Sequence, residues 1–230
     1  MAENDNPTRL AELEADNRRL RRLLDQRDAP GELRHRLQST LAMLRVIIRK
    51  SAETNRDLDA YVNHLEDRVA AVARAQGAAD ERGSVGLYDL FVDELIQYQA
   101  QEGERVTLSG PEVHFQPRAG QVLALAVHEL AVNAVEHGAL GAGTGRIEIA
   151  WSVAAENADT LLTIIWKETG STGVGLGSHE GFGTEVLTRT VAYELKATTT
   201  FAFEPDGLRC TLRFPLTDRI GRVVEVLHQN

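Results

Sequence analysis

The sequence predicts an all-α N-terminal part, a coiled coil running into a helical hairpin, followed by an α+β sandwich. Three observations carry this expectation. Leucines recur in 3-4 spacing before residue 28, two further apolar seams of helical period follow, and after residue 82 short alternating strands mix with helices. The chain of 230 residues is long enough for one good core and a smaller element.

The first segment, 1–28, carries Leu10, Leu13, Asn17, Leu20 and Leu24. That is a short coiled-coil seam with Asn17 at an a position, where a buried amide fixes register and favours two strands. "DAPG" at 28–31 interrupts it, because Pro30 disfavours a helical residue before it. A second helix is expected over Leu33, Leu37, Leu41, Leu44 and Ile48, and a third over Leu58, Val62, Leu65, Val69 and Val72. Joined by a short polar turn, the two make an antiparallel hairpin spanning 29–82. A lone hairpin buries two such seams poorly. Pairing with a second copy as a four-helix bundle buries them, so a homodimer is expected.

The sandwich is expected over 83–217, with 218–230 left as a C-terminal tail. It begins with the helix "LYDLFVDELIQYQA" and the strand-like pieces "RVTLSG" and "EVHFQP". A helix around 126–140 precedes the strands "RIEIAWSV" and "TLLTIIWK". After the Gly-rich stretch "ETGSTGVGLGSHEGFGT" come a short helix and the strands "TTTFAFEP" and "LRCTLRFPL", with "PDG" as their turn. This order suggests one sheet covered by helices on one face.

Composition narrows the function classes. The formal net charge of −9 gives no electrostatic reason to bind nucleic acid or an anionic membrane. No apolar run approaches a membrane span, and the first residues lack a signal-peptide core, so the chain reads as cytoplasmic. The single cysteine, Cys210, alternates with Leu208, Leu212 and Phe214 as an inward strand residue, leaving no disulfide framework.

The stretch "AVHELAVNAVEHGAL" at 126–140 combines two faces. Leu123, Ala126, Val127, Leu130 and Ala134 point one way, while Glu129, Asn133 and Glu136/His137 share a second face. The second face is either ordinary solvated surface or the wall of a site.

Three stretches decide between these: "ELRHR" at 32–36, "HELAVNAVEHGAL" at 128–140, and "WKETG" with "GFGT" across 166–184. Together they resemble the HWE family of sensor histidine kinases, marked by His128, Trp166 and Glu168, over roughly residues 29–217. The resemblance implies a dimerisation and histidine phosphotransfer hairpin followed by a Bergerat-type ATP-binding domain. His35 matches the phosphoacceptor, and Glu32, one turn earlier, is placed to orient or deprotonate its ring. Asn133 matches the ligand of a Mg²⁺ ion that bridges the ATP phosphates, and Glu129 the acid near the γ-phosphate. His128 and His137 contact phosphates or hold the helix end. Glu168 stands where related ATPases accept from the adenine amino group, and Trp166 either lines that pocket or fills the core. Gly170, Gly181 and Gly183 belong to a flexible lid, with Thr184 at a helix start where free N–H groups favour phosphate.

The chain also departs from the family pattern. Glu136 and Glu185 stand where Lys and Arg are usual, and Gln38 and Ser39 replace Lys and Asn. One unit-charge repulsion at about 6 Å and an effective dielectric of about 20 is roughly 3 kcal/mol. Half of that weakens nucleotide binding about tenfold per residue.

The leading expectation is autophosphorylation of His35 from Mg-ATP, then transfer to an aspartate of a response regulator. The alternative is a histidine phosphotransferase or response-regulator phosphatase with a degenerate ATP-binding domain. A Bergerat-fold clamp or anti-sigma-type serine kinase is disfavoured by the hairpin bearing "ELRHR". Sensory input is expected from a partner or a missing domain.

Overall fold

The computed structural model describes residues 31–51 and 58–224, apart from 99, 101–102, 104, 142–143, 158 and 171–181; the side chains of 32–36, 39, 50, 51 and 58 are also outside the description. The expected coiled coil of 1–28 therefore lies outside the described residues. Two units are distinguished, meeting between Val46 and Ile47.

Helix α1 (Gly31–Ser51) begins in the first unit. Met43 and Ile47 are its buried residues, whereas Leu41, Val46 and Ile48 are exposed. Of the seam expected from periodicity, Leu37 and Leu44 are half-buried and Leu41 and Ile48 exposed in a single copy.

In the second unit, helix α2 (Leu58–Arg82) packs along helix α4 (Pro117–Glu136). Its buried residues are Arg68, Ala71, Val72, Ala75 and Ala79, while Val62 of the expected seam is exposed. The reason is steric: alanines at 71, 75 and 79 recur every four residues and let the backbones of α2 and α4 approach closely. Among the described residues of the expected seam, Val72 alone is fully buried on this face.

Strand β1 (Val85–Gly86) leads to helix α3 (Leu87–Leu95), which tightens into a 3₁₀ turn at Ile96–Tyr98. Strands β2 (Val106–Ser109) and β3 (Val113–Phe115) precede α4. Pro117 starts α4 because its missing N–H is one no helix would pair there. Every residue from Ala119 to Ala131 is buried.

Strands β4 (Arg146–Glu156) and β5 (Asp159–Thr169) form the long central hairpin. A helical stretch follows, α5 (Phe182–Glu185), a π turn (Val186–Thr190) and α6 (Val191–Leu195), then β6 (Thr198–Glu204) and β7 (Gly207–Pro215). The main sheet has the order β2-β4-β5-β7-β6, with β2 parallel to β4 and all other pairs antiparallel.

Alternation along the strands builds one core face from Ile147, Ile149 and Trp151, Leu162, Ile164 and Trp166, and Cys210, Leu212 and Phe214. Phe91 of α3 stacks on Trp151 at 5.8 Å between ring centroids. This is the α+β sandwich expected from the order of elements.

A second, three-stranded sheet, β1-β3-β8, was not legible in the sequence. Strand β8 (Gly221–Val223) lies in the segment expected as a tail and pairs antiparallel with β3. Its three residues, like the two of β1, are too few to show alternation. No described helix is long and apolar enough to cross a membrane.

Candidate active site

The C-terminal half of α4 carries the polar face expected of it. Glu129 is buried, Asn133 is half-buried, and Glu136 and His137 are exposed. Glu129 and Asn133 meet the first turn of α5. A Cβ on Gly183 would stand 3.1 Å from both Glu129 Oε2 and Asn133 Nδ2, so any larger residue would require these side chains to give way. Thr184 follows in the same turn, and Gly181 lies outside the described residues.

Glu129 is paired. Arg68 Nε donates to Oε1 at 2.7 Å, and Arg68 Nη2 to Oε2 at 3.2 Å, a fork-on-carboxylate geometry with both side chains buried. The same guanidinium lies over the Phe182 ring, 3.7 Å from its centroid. A residue of α2 thus touches both the acid of α4 and the residue that opens α5. Sequence reasoning missed Arg68, whose place among apolar neighbours gives no charge signal; the Ala71, Ala75, Ala79 spacing was the available sign of a tightly docked face.

His128 does not join Glu129 on this wall. It is buried, and its Nδ1 donates to Glu94 Oε1 of α3 at 2.7 Å. Glu94 also accepts from Arg74 of α2 and from the Tyr98 hydroxyl. Burial and the neighbouring Glu94 raise the Tyr98 phenol well above its ordinary range. His128 links α4 to α3 and, through Glu94, to α2. His137 caps the end of α4, its N–H bonded to Asn133 O at 2.9 Å, with its ring 3.5 Å from Glu136. Glu136 also lies 3.4 Å from His64, and Glu185 pairs with Arg189 at 3.2 Å.

The third expected element is on β5. The alternation that buries Leu162, Ile164 and Trp166 places Glu168 on the same inward face. Trp166 is fully buried, and its Nε1 donates to Glu168 Oε1 at 3.0 Å. Of its two expected roles, the tryptophan fills the core and holds this acid. Oε2 of Glu168 accepts from the Ala139 N–H at 2.8 Å. A Cβ on Gly138 would fall 2.0 Å from that oxygen, which explains the glycine there. Burial pushes the Glu168 carboxyl up, and the two donated hydrogen bonds pull it back only in part.

The turn that receives Glu168 is fixed from its other side by Arg105. Its guanidinium donates to the carbonyls of Gly145, Ala139 and Leu140 at 2.9, 2.7 and 3.3 Å. Arg105 too was missed by sequence reasoning. Gly170, at the end of β5, has φ +77°, a left-handed conformation that favours glycine. Glu32 and His35 lie on α1, with their side chains outside the described residues. Among the described residues no cluster of three His, Cys, Asp or Glu is arranged to hold a metal.

The fold is that of histidine kinases. A solved blue-light-activated histidine kinase of Erythrobacter litoralis superposes with a TM-score of 0.64 at 14% identity, covering 83% of this chain and 62% of that one. The histidine kinase domain of the same protein gives 0.57 at 16% identity, covering 77% and 84%.

Sequence comparison is more specific. Residues 32–112 match the HWE histidine kinase family model. Blue-light-activated histidine kinase 1 of Erythrobacter litoralis is 34% identical over 198 residues, covering 83% of this chain and 54% of the relative. A blue-light-activated histidine kinase of Rhizobium johnstonii is 31% identical over 186 residues, covering 80% and 52%. The chain spans about half the length of these two curated relatives. Over residues 32–112 it thus matches the HWE histidine kinase family, and these relatives are named as histidine kinases, which are enzymes.

Proposed function

We propose that this chain is a two-component histidine kinase that autophosphorylates His35 from Mg-ATP and passes the phosphoryl group to an aspartate of a response regulator. The observation that supports this most is the meeting of Glu129, Asn133 and Gly183 at the start of α5, in a chain that matches this family. On this reading 29–82 is the dimerisation and phosphotransfer region, 83–217 binds ATP, and two copies pair through the hairpin and the coiled coil. Leu41, Val46, Ile48 and Val62, exposed in one copy, are suited to that contact. The reading also takes the chain as cytoplasmic.

The residues fit the nucleotide. Asn133 offers a neutral amide oxygen beside a glycine turn with no side chain to obstruct phosphate. Asn133 together with phosphate oxygens would hold Mg²⁺, which would supply charge neutralisation to the transferring group. His137 and Thr184 flank the phosphates. Glu168, fixed by Trp166 and Ala139, keeps lone pairs that accept from the adenine amino group, and Gly170 and Gly181 bound the lid. His128 positions α4 through Glu94.

In the transfer, a ring nitrogen of His35 attacks the γ-phosphorus. The N–P bond forms as the bond to the bridging oxygen breaks, and ADP leaves with that electron pair. The proton of the other ring nitrogen passes to a carboxylate, for which Glu32 is placed one turn away. Glu129 orients the acceptor or its proton. Transfer to the regulator reverses the sense: a carboxylate oxygen attacks and the imidazole departs. The curated relatives are named as blue-light-activated, and for this chain the input comes from a partner or a further domain.

Incubation with γ-labelled Mg-ATP tests this. Label that is acid-labile, base-stable and absent in His35→Ala supports the kinase. No label in the wild type, with an active ATP preparation, favours a histidine phosphotransferase or response-regulator phosphatase with a degenerate ATP-binding domain, as Glu136 and Glu185 would suggest.

A further inference from the structure

We infer that Arg68, carried by hairpin helix α2, is the cation that completes the phosphate end of the nucleotide site. This rests on the nucleotide reading above and adds a residue that the signature motifs do not contain. Three acids, Glu129, Glu136 and Glu185, lie on the same two helices as Asn133 and Gly183. A polyphosphate there meets repulsion unless positive charge is built in. Arg189, beside Glu185, is 70% exposed, and His64 and His137 beside Glu136 are charged only when protonated. Arg68 is 7% exposed and fixed in a bidentate bond, so its charge is held in place and weakly screened.

A packing role alone does not account for an arginine at this position. The neighbours on its face are Ala71, Val72, Ala75 and Ala79, and an apolar residue would join them without the cost of stripping water from two ions. The guanidinium also rests on Phe182, directly before Gly183. Arg68 is therefore a positioning residue for Glu129 that cancels its charge where the γ-phosphate would lie, and the nucleotide site is incomplete without α2.

The test is the affinity of the full chain for Mg-ATP and for Mg-ADP. Arg68→Gln is expected to weaken ATP about tenfold, the effect of one uncompensated charge at about 6 Å, and ADP by a smaller factor. Arg68→Lys recovers part of the ATP affinity. Unchanged ATP affinity in Arg68→Gln, or ATP and ADP weakened equally, overturns the inference. If Arg68→Gln fails to fold, Glu129→Gln is compared with Arg68→Gln/Glu129→Gln, which leaves no buried ion. The single variant should bind ATP about tenfold more tightly than the double, and equal affinities overturn the inference. A wild type that binds neither nucleotide removes the nucleotide reading and this inference together; binding by the wild type with no dependence on Arg68 removes only the inference.

Discussion

Glu129 and Glu168 are both buried acids of the candidate site, yet they are held in opposite ways. Glu129 is met by a full positive charge, the Arg68 guanidinium, from a helix outside the sandwich. Glu168 is met only by neutral donors, an indole N–H and a backbone N–H, both from within the sandwich. Burial raises the proton affinity of Glu168, and the hydrogen bonds from Ala139 and Trp166 that lower it carry no charge. One end of the site is thus self-contained, and the other is finished by α2. A signal that moves α2 would act on the Glu129 end and leave the Glu168 end in place.

Breaking each end should have different consequences. The largest effect is expected for Arg68→Gln, which strands the Glu129 carboxylate and should cost about 3–5 kcal/mol in urea unfolding. Arg68→Gln/Glu129→Gln should recover most of this, because both ions are gone. Next is Trp166→Phe, which keeps most of the core volume and removes one donor from Glu168. A loss of about 1–2 kcal/mol is expected, and Trp166→Ala should cost about 3–5 kcal/mol through the cavity.

The smallest effect sharpens the contrast through pH. The folded state holds the Glu168 proton more tightly than the unfolded chain, whose carboxyl has the ordinary value of 4.5. The folded protein therefore carries more protons above that pH, and the stability of wild type relative to Glu168→Gln should fall as pH rises from 4.5 through the raised value. Parallel stability curves for the two proteins would contradict this assignment. Outside the site, burial raises the Cys210 thiol to about 12, so native protein at pH 8 should resist alkylation and react only when unfolded.

Much of this site was legible from periodicity. The sequence left Trp166 either lining the pocket or filling the core, and in the structure the alternation of "TLLTIIWKE" carries both Trp166 and Glu168 inward. The spacing of Glu129 and Asn133 put both on one helix face, where the structure brings them to Gly183. What periodicity did not show was the face of α2 that packs on α4. Its Leu58-to-Val72 seam is regular, but Ala71, Ala75 and Ala79 carry too little hydrophobicity to compete in a sequence pattern, although they pack more closely than valines would. Arg68, Arg74 and Glu94 were invisible for a related reason. A charge becomes a buried partner only through residues distant in sequence, as in Arg68 with Glu129, 61 positions away. The short strands β1 and β8 were missed because two or three residues have no measurable period.

The central claim is that the Asn133 face of α4 is the phosphate wall of a nucleotide site. Calorimetric titration of the full chain with Mg-ATP, for wild type and Asn133→Ala, tests it most directly. Saturable binding by the wild type, at least tenfold weaker in a folded Asn133→Ala variant, is the predicted result. Equal affinity in the two proteins would show that nucleotide binds elsewhere and would contradict the account.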